Sequence, residues 1–273
     1  MRKIIRLLIA LAAVILMAIS GWKLFTIYSG YREADQANNE IIDQYVHVQT
    51  IPPAPDATQA PDSETTVPVE TTEPTEAPEY APITVDFDAL MEVNKYVVGW
   101  IYCPDTNINY PIVQGQDNDH YLTHMFDGKR NRAGAIFMDY RCDPYFYDRH
   151  TIIYGHHLKN KTMFSRLMRY KKQTFYDEHT QILLVTPTAY YSLRVFSGYV
   201  ADNRSSAWDL DLEEEEFGAW VEELRSKSCF RTDYAPGPED DIITLSTCTY
   251  EFNDAKFLIH AYVEEVIEKE ALS

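Results

Sequence analysis

Two side chains carry the prospect of chemistry. Cys248 ends the run Thr244-Leu245-Ser246-Thr247-Cys248, just after the apolar pair Ile242-Ile243, and His156 follows a second apolar run in Ile152-Ile153-Tyr154-Gly155-His156-His157. A thiol becomes a working nucleophile when a base or a cation stands beside it. Attack on an acyl carbon also needs a donor facing the oxyanion that forms. Both residues sit at the ends of predicted strands, so two strands lying side by side would join them although 92 positions separate them.

The remaining Cys and His residues compete poorly. Cys103, Cys142 and Cys229 make two disulfides formally possible in an exported chain, yet no CxxC pair exists, which argues against a thiol oxidoreductase or a zinc ribbon. Each of the three is read as a buried or incidental thiol. His120 and His124 have the i, i+4 spacing of metal ligands but lack the carboxylate motif of zinc proteases, so surface histidines are the better reading and no metal site is assigned.

The elements that must position Cys248 and His156 occupy only part of the 273 residues. Residues 1–28 begin with Arg2, Lys3 and Arg6, run uncharged from Leu7 to Trp22, and continue through Lys23 to Tyr28. A helix to Tyr28 reaches about 33 Å, enough to span the hydrocarbon core if Lys23 snorkels. The basic flank predicts a single span with a cytoplasmic N-terminus and an extracellular C-terminal bulk. The competing reading is a cleaved signal peptide at Ala18-Ile19-Ser20. Residues 29–50 carry a weak helical period and are read as a juxtamembrane segment with a short helix. Residues 51–82 hold eight Pro and seven Asp or Glu with no Lys or Arg. Such a composition predicts a disordered linker, a tether spanning on the order of 100 Å when stretched.

Residues 83–267 are the globular part, followed by a short tail, 268–273. A hydrophobic content of 45%, with 20 Tyr and 12 Phe, supplies a core. The formal charge of −18 excludes nucleic acid as a partner. Asp86 caps a short helix with Phe87, Leu90 and Met91 on one face. Eight strands are expected at Val97 to Tyr102, Ile108 to Val113, Ala135 to Met138, Thr151 to Tyr154, Gln181 to Val185, Tyr190 to Val200, Asp241 to Leu245 and Phe257 to Val263. Helices are expected at Thr162 to Tyr170 and Leu212 to Ser226, the second with acids at its start and Arg225 at its end, as the helix dipole favours. The fold class is mainly β with helices: an eight-stranded, closed β-barrel.

From Asp86 to Val263 the chain resembles the class B sortases, membrane-anchored cysteine transpeptidases of Gram-positive bacteria. The matching pieces stand in family order: Val98-Gly99-Trp100-Ile101, Thr106-Asn107-Ile108-Asn109-Tyr110-Pro111-Ile112-Val113-Gln114, Asp117-Asn118, Tyr121-Leu122, Gly134-Ala135-Ile136-Phe137-Met138-Asp139, Tyr154-Gly155-His156-His157, Met163-Phe164 and Thr244-Leu245-Ser246-Thr247-Cys248. The resemblance implies a sortase barrel with a long helix before its seventh strand. It also implies that Cys248 attacks a Thr carbonyl within a C-terminal sorting signal of a secreted protein, that His156 handles the protons of the leaving and incoming amines, and that the acceptor amine belongs to a peptidoglycan precursor or a pilin. Asn118, Tyr154, Ser246 and Thr247 are the implied lining of the substrate groove. His157 is not the catalytic histidine on this match, and no cofactor, calcium included, is implied.

One position departs from the family. The resemblance calls for an Arg near Asp254-Ala255-Lys256, and Lys256 stands there; no Arg follows Cys248. Lys keeps the charge but lacks the planar fork of Arg. The leading expectation is therefore a transpeptidase with Cys248, His156 and Lys256 as its catalytic set. The alternatives are a low-activity sortase-fold protein that binds sorting-signal peptides, and an exported cysteine peptidase that hydrolyses its acyl-enzyme. Trp208 is read either as a stacking surface for substrate or as a packed aromatic.

Overall fold

The computed structural model describes residues 2–48, 83–249 and 251–269. A two-stranded ribbon, β1 (Val46–Val48) and β2 (Ile83–Val85), precedes a barrel of eight strands: β3 (Val97–Tyr102), β4 (Asn109–Gln114), β5 (Ile136–Met138), β6 (His150–Tyr154), β7 (Gln181–Val185), β8 (Ala189–Ala201), β9 (Ile242–Cys248) and β10 (Lys256–Glu268). The barrel strands close in the order β10-β8-β7-β3-β4-β5-β6-β9. Most neighbours are antiparallel, whereas β4/β5 and β6/β9 are parallel. Each expected strand is present, with shifted ends. β10 runs five residues beyond Val263 because its far half faces solvent, so Glu264, Glu265 and Glu268 hide it from an apolar pattern. Arg194 of β8 clasps Glu264 there at 2.6 Å. β9 continues through Cys248 because Ser246 and Thr247 are buried in spite of their polarity.

The helices divide differently from expectation. In place of a helix over 162–170 the chain forms a 3-10 helix at Phe164–Lys171 and then α3 (Gln173–Glu178). The reason lies in the spacing: Phe164, Leu167 and Tyr170, all fully buried, recur every three residues, which suits three residues per turn. α4 (Glu214–Ser226) buries Phe217, Trp220, Val221 and Leu224 with three acids in its first turn and Arg225 in its last. α2 (Phe87–Val93) is capped by Asp86, whose Oδ1 accepts from Ala89 N at 3.0 Å. Phe87 and Leu90 are buried, but Met91 turns outward at 37% exposure.

The N-terminal region departs most from expectation. A single helix, α1 (Arg2–Tyr45), replaces a span followed by a separate short helix, and its apolar first half is long enough to cross a membrane. Its last turns pack on the barrel. Tyr31 and Ala34 join the main core, while Ile41, Ile42 and Tyr45 join a second cluster around Trp100. Asn38 Nδ2 donates to Asn109 O at 3.2 Å and Asn131 Nδ2 to Gly30 O at 3.0 Å. Directly after α1, β1 pairs with β2, Val46 opposite Val85. The expected tether, 51–82, lies outside the described residues. Its two flanks, however, are partners in one ribbon, and α1 already rests on the barrel, so the separation of barrel and span is set by α1.

A buried polar chain crosses the wall beneath the site. His150 Nδ1 lies 2.7 Å from Asp209 O, His150 Nε2 lies 2.7 Å from Thr244 Oγ1, and Thr244 Oγ1 lies 2.8 Å from His260 Nδ1. Neutral rings satisfy these contacts: His150 Nδ1–H donates to Asp209 O, Thr244 Oγ1–H to His150 Nε2, and His260 Nδ1–H to Thr244 Oγ1. Burial pushes His150 down to about 4 and His260 well below its ordinary value. The unfolded chain binds protons that the folded chain refuses, so stability is complete above about pH 6.5 and falls as pH drops toward 4. For His150 alone the loss is on the order of 3 kcal/mol. Thermal melts of the full chain in detergent at pH 7 and pH 4.5 are expected to show a midpoint several degrees lower in acid; equal midpoints would exclude neutral buried rings.

Candidate active site

The site follows from strand register. β6 and β9 run parallel with Tyr154 opposite Ser246, and Gly155 N donates to Ser246 O at 3.0 Å. Two residues further along, His156 and Cys248 leave their strands on the same end of the barrel. On the other side of β9, antiparallel β10 places Lys256 directly opposite Cys248. The Lys256 ammonium donates to Cys248 Sγ at 3.1 Å. Thus the thiol meets a cation from one neighbouring strand, while the other neighbouring strand leads into His156 and His157.

The two histidines are distinct in their hydrogen bonds. His156 Nε2 lies 2.8 Å from the Leu122 carbonyl, which orients the ring by its Nε2–H and leaves Nδ1 as the proton-accepting atom of the neutral form. His157 Nδ1 lies 3.0 Å from the Cys248 carbonyl, so it ties down the backbone at Cys248. Glycine is needed on both sides of His156. Gly134, at φ +63, would bring a Cβ to 2.5 Å from Tyr121 O and 3.0 Å from His156 Cδ2, and a Cβ on Gly155 would meet Ile136 Cδ1 at 2.5 Å.

All seven residues singled out in the sequence line one cleft of about 250 Å³: Asn118, Tyr154, His156, Ser246, Thr247, Cys248 and Lys256, together with Leu122, Phe137 and Gly155. Among the described residues the buried Thr247 hydroxyl has no hydrogen-bond partner. Trp208 stacks on Tyr154 with ring centroids 6.2 Å apart and donates its indole N–H to Asp202 O at 2.9 Å, so it packs as part of the wall.

Asp139 is the residue that sequence reasoning passed over within a matched motif. Its side chain is fully buried, and Oδ2 accepts from Asn118 Nδ2 at 3.0 Å and from Tyr154 OH at 2.8 Å, while Arg141 clasps the carboxylate through Nε and Nη2, each at 2.9 Å. Burial alone would raise this carboxyl, but the hydrogen bonds from Arg141, Tyr154 and Asn118 outweigh it and hold it below its ordinary value. Burial and the adjacent carboxylate push the Tyr154 phenol upward, so it stays a donor. A single anion thereby orients two groove residues that lie 36 positions apart. Asp139→Asn is expected to raise KM about tenfold with a smaller change in kcat, since it disturbs the cleft wall and leaves Cys248 in place. An equal fall in kcat with KM unchanged would assign Asp139 to the chemistry instead.

The other candidates separate from this centre. His120 and His124 stack on each other near the surface, centroids 4.2 Å apart. Among the described residues no group of three or more metal-ligating side chains converges. Cys103, Cys142 and Cys229 are free thiols; the first two are buried, and burial raises Cys103 to about 11 and Cys142 to about 12.

Comparison with known proteins agrees with this geometry. The model of the sortase domain family matches residues 101–264. Sortase B of Staphylococcus aureus (strain NCTC 8325 / PS 47) is 36% identical over 169 residues, which cover 62% of this chain and 69% of that protein. The solved Staphylococcus aureus sortase B–substrate complex superposes with a TM-score of 0.62 at 34% identity, covering 67% of this chain and 84% of that one. A sortase B complexed with triglycine superposes with the same TM-score and identity, covering 67% and 85%. With its closed barrel, its strand-end thiol and histidine and these relatives, the chain belongs to the sortase family, on the sortase B side.

Proposed function

We propose that this sortase transpeptidase cleaves a C-terminal sorting signal in secreted proteins and joins the new C-terminus to an amine of a peptidoglycan precursor or a pilin. The observation that carries the reading is the flanking of Cys248 Sγ by Lys256 Nζ at 3.1 Å in a cleft that also holds His156. Cys248 sulfur attacks the scissile carbonyl as its thiol proton passes to His156, and the C=O electron pair moves onto oxygen, where the Lys256 ammonium offsets the charge. The C–N bond then breaks, and His156 delivers a proton to the departing nitrogen. In the second half, the acceptor nitrogen attacks the thioester, His156 takes its proton, and the sulfur leaves with the electron pair of the C–S bond. Asn118, Tyr154, Ser246 and Thr247 hold the peptide across the cleft. The known substrate and triglycine complexes of sortase B support a peptide donor and an amine acceptor. The basic N-terminal flank supports an extracellular catalytic domain on a single cytoplasm-first span.

Lys256 also favours a second reading, a peptide-binding protein of low turnover, because one ammonium replaces a fork of donors. Intact-mass measurement of the full chain in detergent, with a pool of sorting-signal peptides and then triglycine, separates the two. An acyl adduct that forms and is discharged as the peptide–triglycine product establishes the transpeptidase. Discharge by water at equal rate with and without amine establishes a peptidase, and peptide binding with no adduct establishes the binding protein.

A further inference from the structure

We infer that the loop carrying Arg130 and Arg132, with Arg32 of α1, forms a docking surface for anionic lipid headgroups that seats the barrel directly on the membrane. The inference rests on reading α1 as the membrane anchor. Position decides it first. Tyr28 ends the apolar part of α1, and Gly30, two residues or about 3 Å further along the helix, already accepts a hydrogen bond from Asn131. The headgroup layer is about 5–7 Å deep, so the backbone around Asn131 lies at its level. The ring pair Tyr28 and Tyr31, centroids 6.4 Å apart, marks the same height with the aromatics typical of that boundary.

Charge decides it second. The chain carries a net −18, yet three of the four residues 129–132 are cationic. Lys129 is held by Asp127 at 2.7 Å, and Glu33 is turned onto Asn131 Nδ2 at 3.4 Å. Arg32, Arg130 and Arg132 are exposed and form no ion pair among the described residues. The loop is a built hairpin: Asn131 N donates to Thr123 O, Met125 N to Lys129 O, and Gly128 N to Met125 O, each at 2.9 Å, so the two arginines bracket the residue that grips the helix. An exposed guanidinium beside anionic headgroups is drawn to them within a Debye length. The opposite sign elsewhere on the surface repels that leaflet and leaves this edge as the one that approaches.

The consequence concerns the cleft. Asn131 precedes Gly134 by three residues, and Gly134 abuts His156. The path from the helix exit to the histidine is therefore on the order of 20 Å. The cleft then works within about 20 Å of the membrane surface.

Hydrogen exchange of the full chain in nanodiscs of zwitterionic phosphatidylcholine, with and without about one third phosphatidylglycerol, tests the surface. Peptides over 122–134 are expected to exchange about tenfold more slowly in the anionic discs. That difference should vanish in the double variant Arg130→Gln, Arg132→Gln and in about 0.5 M salt, with β9 peptides unchanged as the measure of an intact fold. Equal exchange of 122–134 in both discs, with residues 4–22 protected, would overturn the docking surface while leaving the anchor. Unprotected residues 4–22 would overturn both. A difference that persists in the double variant would also overturn it.

Discussion

Cys248→Ala is expected to leave no acyl-enzyme at all, with product formation lowered at least about 10⁴-fold, while His156→Gln still acylates but about 10²- to 10⁴-fold more slowly. The difference follows from what each side chain does in the cleft. In the proposed reaction Cys248 supplies the atom that becomes bonded to the substrate, and no neighbouring thiol can replace it, since Cys103 and Cys142 are buried and Cys229 lines a different recess. The part proposed for His156 is proton transfer, which water can also perform, only less well. Both variants should fold: Cys248 is half-buried and makes its backbone ladder bonds to β10 whatever its side chain. His156→Gln keeps a donor for the Leu122 carbonyl. Intact-mass time courses with peptide, then with amine, read both steps. An adduct in Cys248→Ala would place the nucleophile elsewhere, and an unchanged rate in His156→Gln would pass the proton transfers to His157 or to solvent.

Lys256→Met is expected to slow acylation about 10²- to 10³-fold with little effect on peptide binding, the loss typical of one oxyanion donor. The Lys256 ammonium contacts the nucleophilic sulfur from the strand opposite, so the charge is close to the carbonyl oxygen only once the sulfur has attacked. Lys256→Arg is expected to exceed the natural enzyme by up to about tenfold, because a planar fork can serve the sulfur side and the oxyanion with separate N–H groups, an added hydrogen bond worth about 1.4 kcal/mol at most. Single-turnover acylation rates and peptide affinities for the three forms decide it. A slower Arg variant would mean that the cleft is built around an ammonium and that Lys256 is an adaptation. No loss in Lys256→Met would remove Lys256 from the reaction and return the oxyanion to backbone donors.

How much of this was legible beforehand depends on whether the signal is local. Short-range patterns carried the eight strands, since each apolar run is buried where it stands. They carried the Asp86 cap and α4, whose i, i+3, i+4, i+7 residues reach the core. Local pattern failed where burial and polarity part company. The outer half of β10 is charged and still a strand because β8 supplies its partner, and Ser246 and Thr247 are polar and still buried because the barrel closes over them. The 3-10 helix was written in a three-residue spacing of large residues that reads as a helix of either kind until packing selects one.

The site divides in the same way. Residue chemistry and motif order singled out Cys248, His156 and Lys256, because a nucleophile, a proton carrier and a cation are defined by side-chain type. Only closure of the barrel set the parallel register of β6 on β9 and the pairing of Lys256 with Cys248, which turns three separate segments into one cleft. The role of Asp139 likewise emerges only in three dimensions, since a buried carboxylate has no sequence signature apart from the partners that satisfy it. So does the seating of α1. Composition made residues 1–28 an expected anchor and 51–82 an expected spacer, but whether a spacer separates two bodies depends on what its ends touch. Pairing of β1 with β2 and the contacts of Tyr31, Ala34, Asn38 and Ile41 with the barrel are long-range matters that no run of residues states.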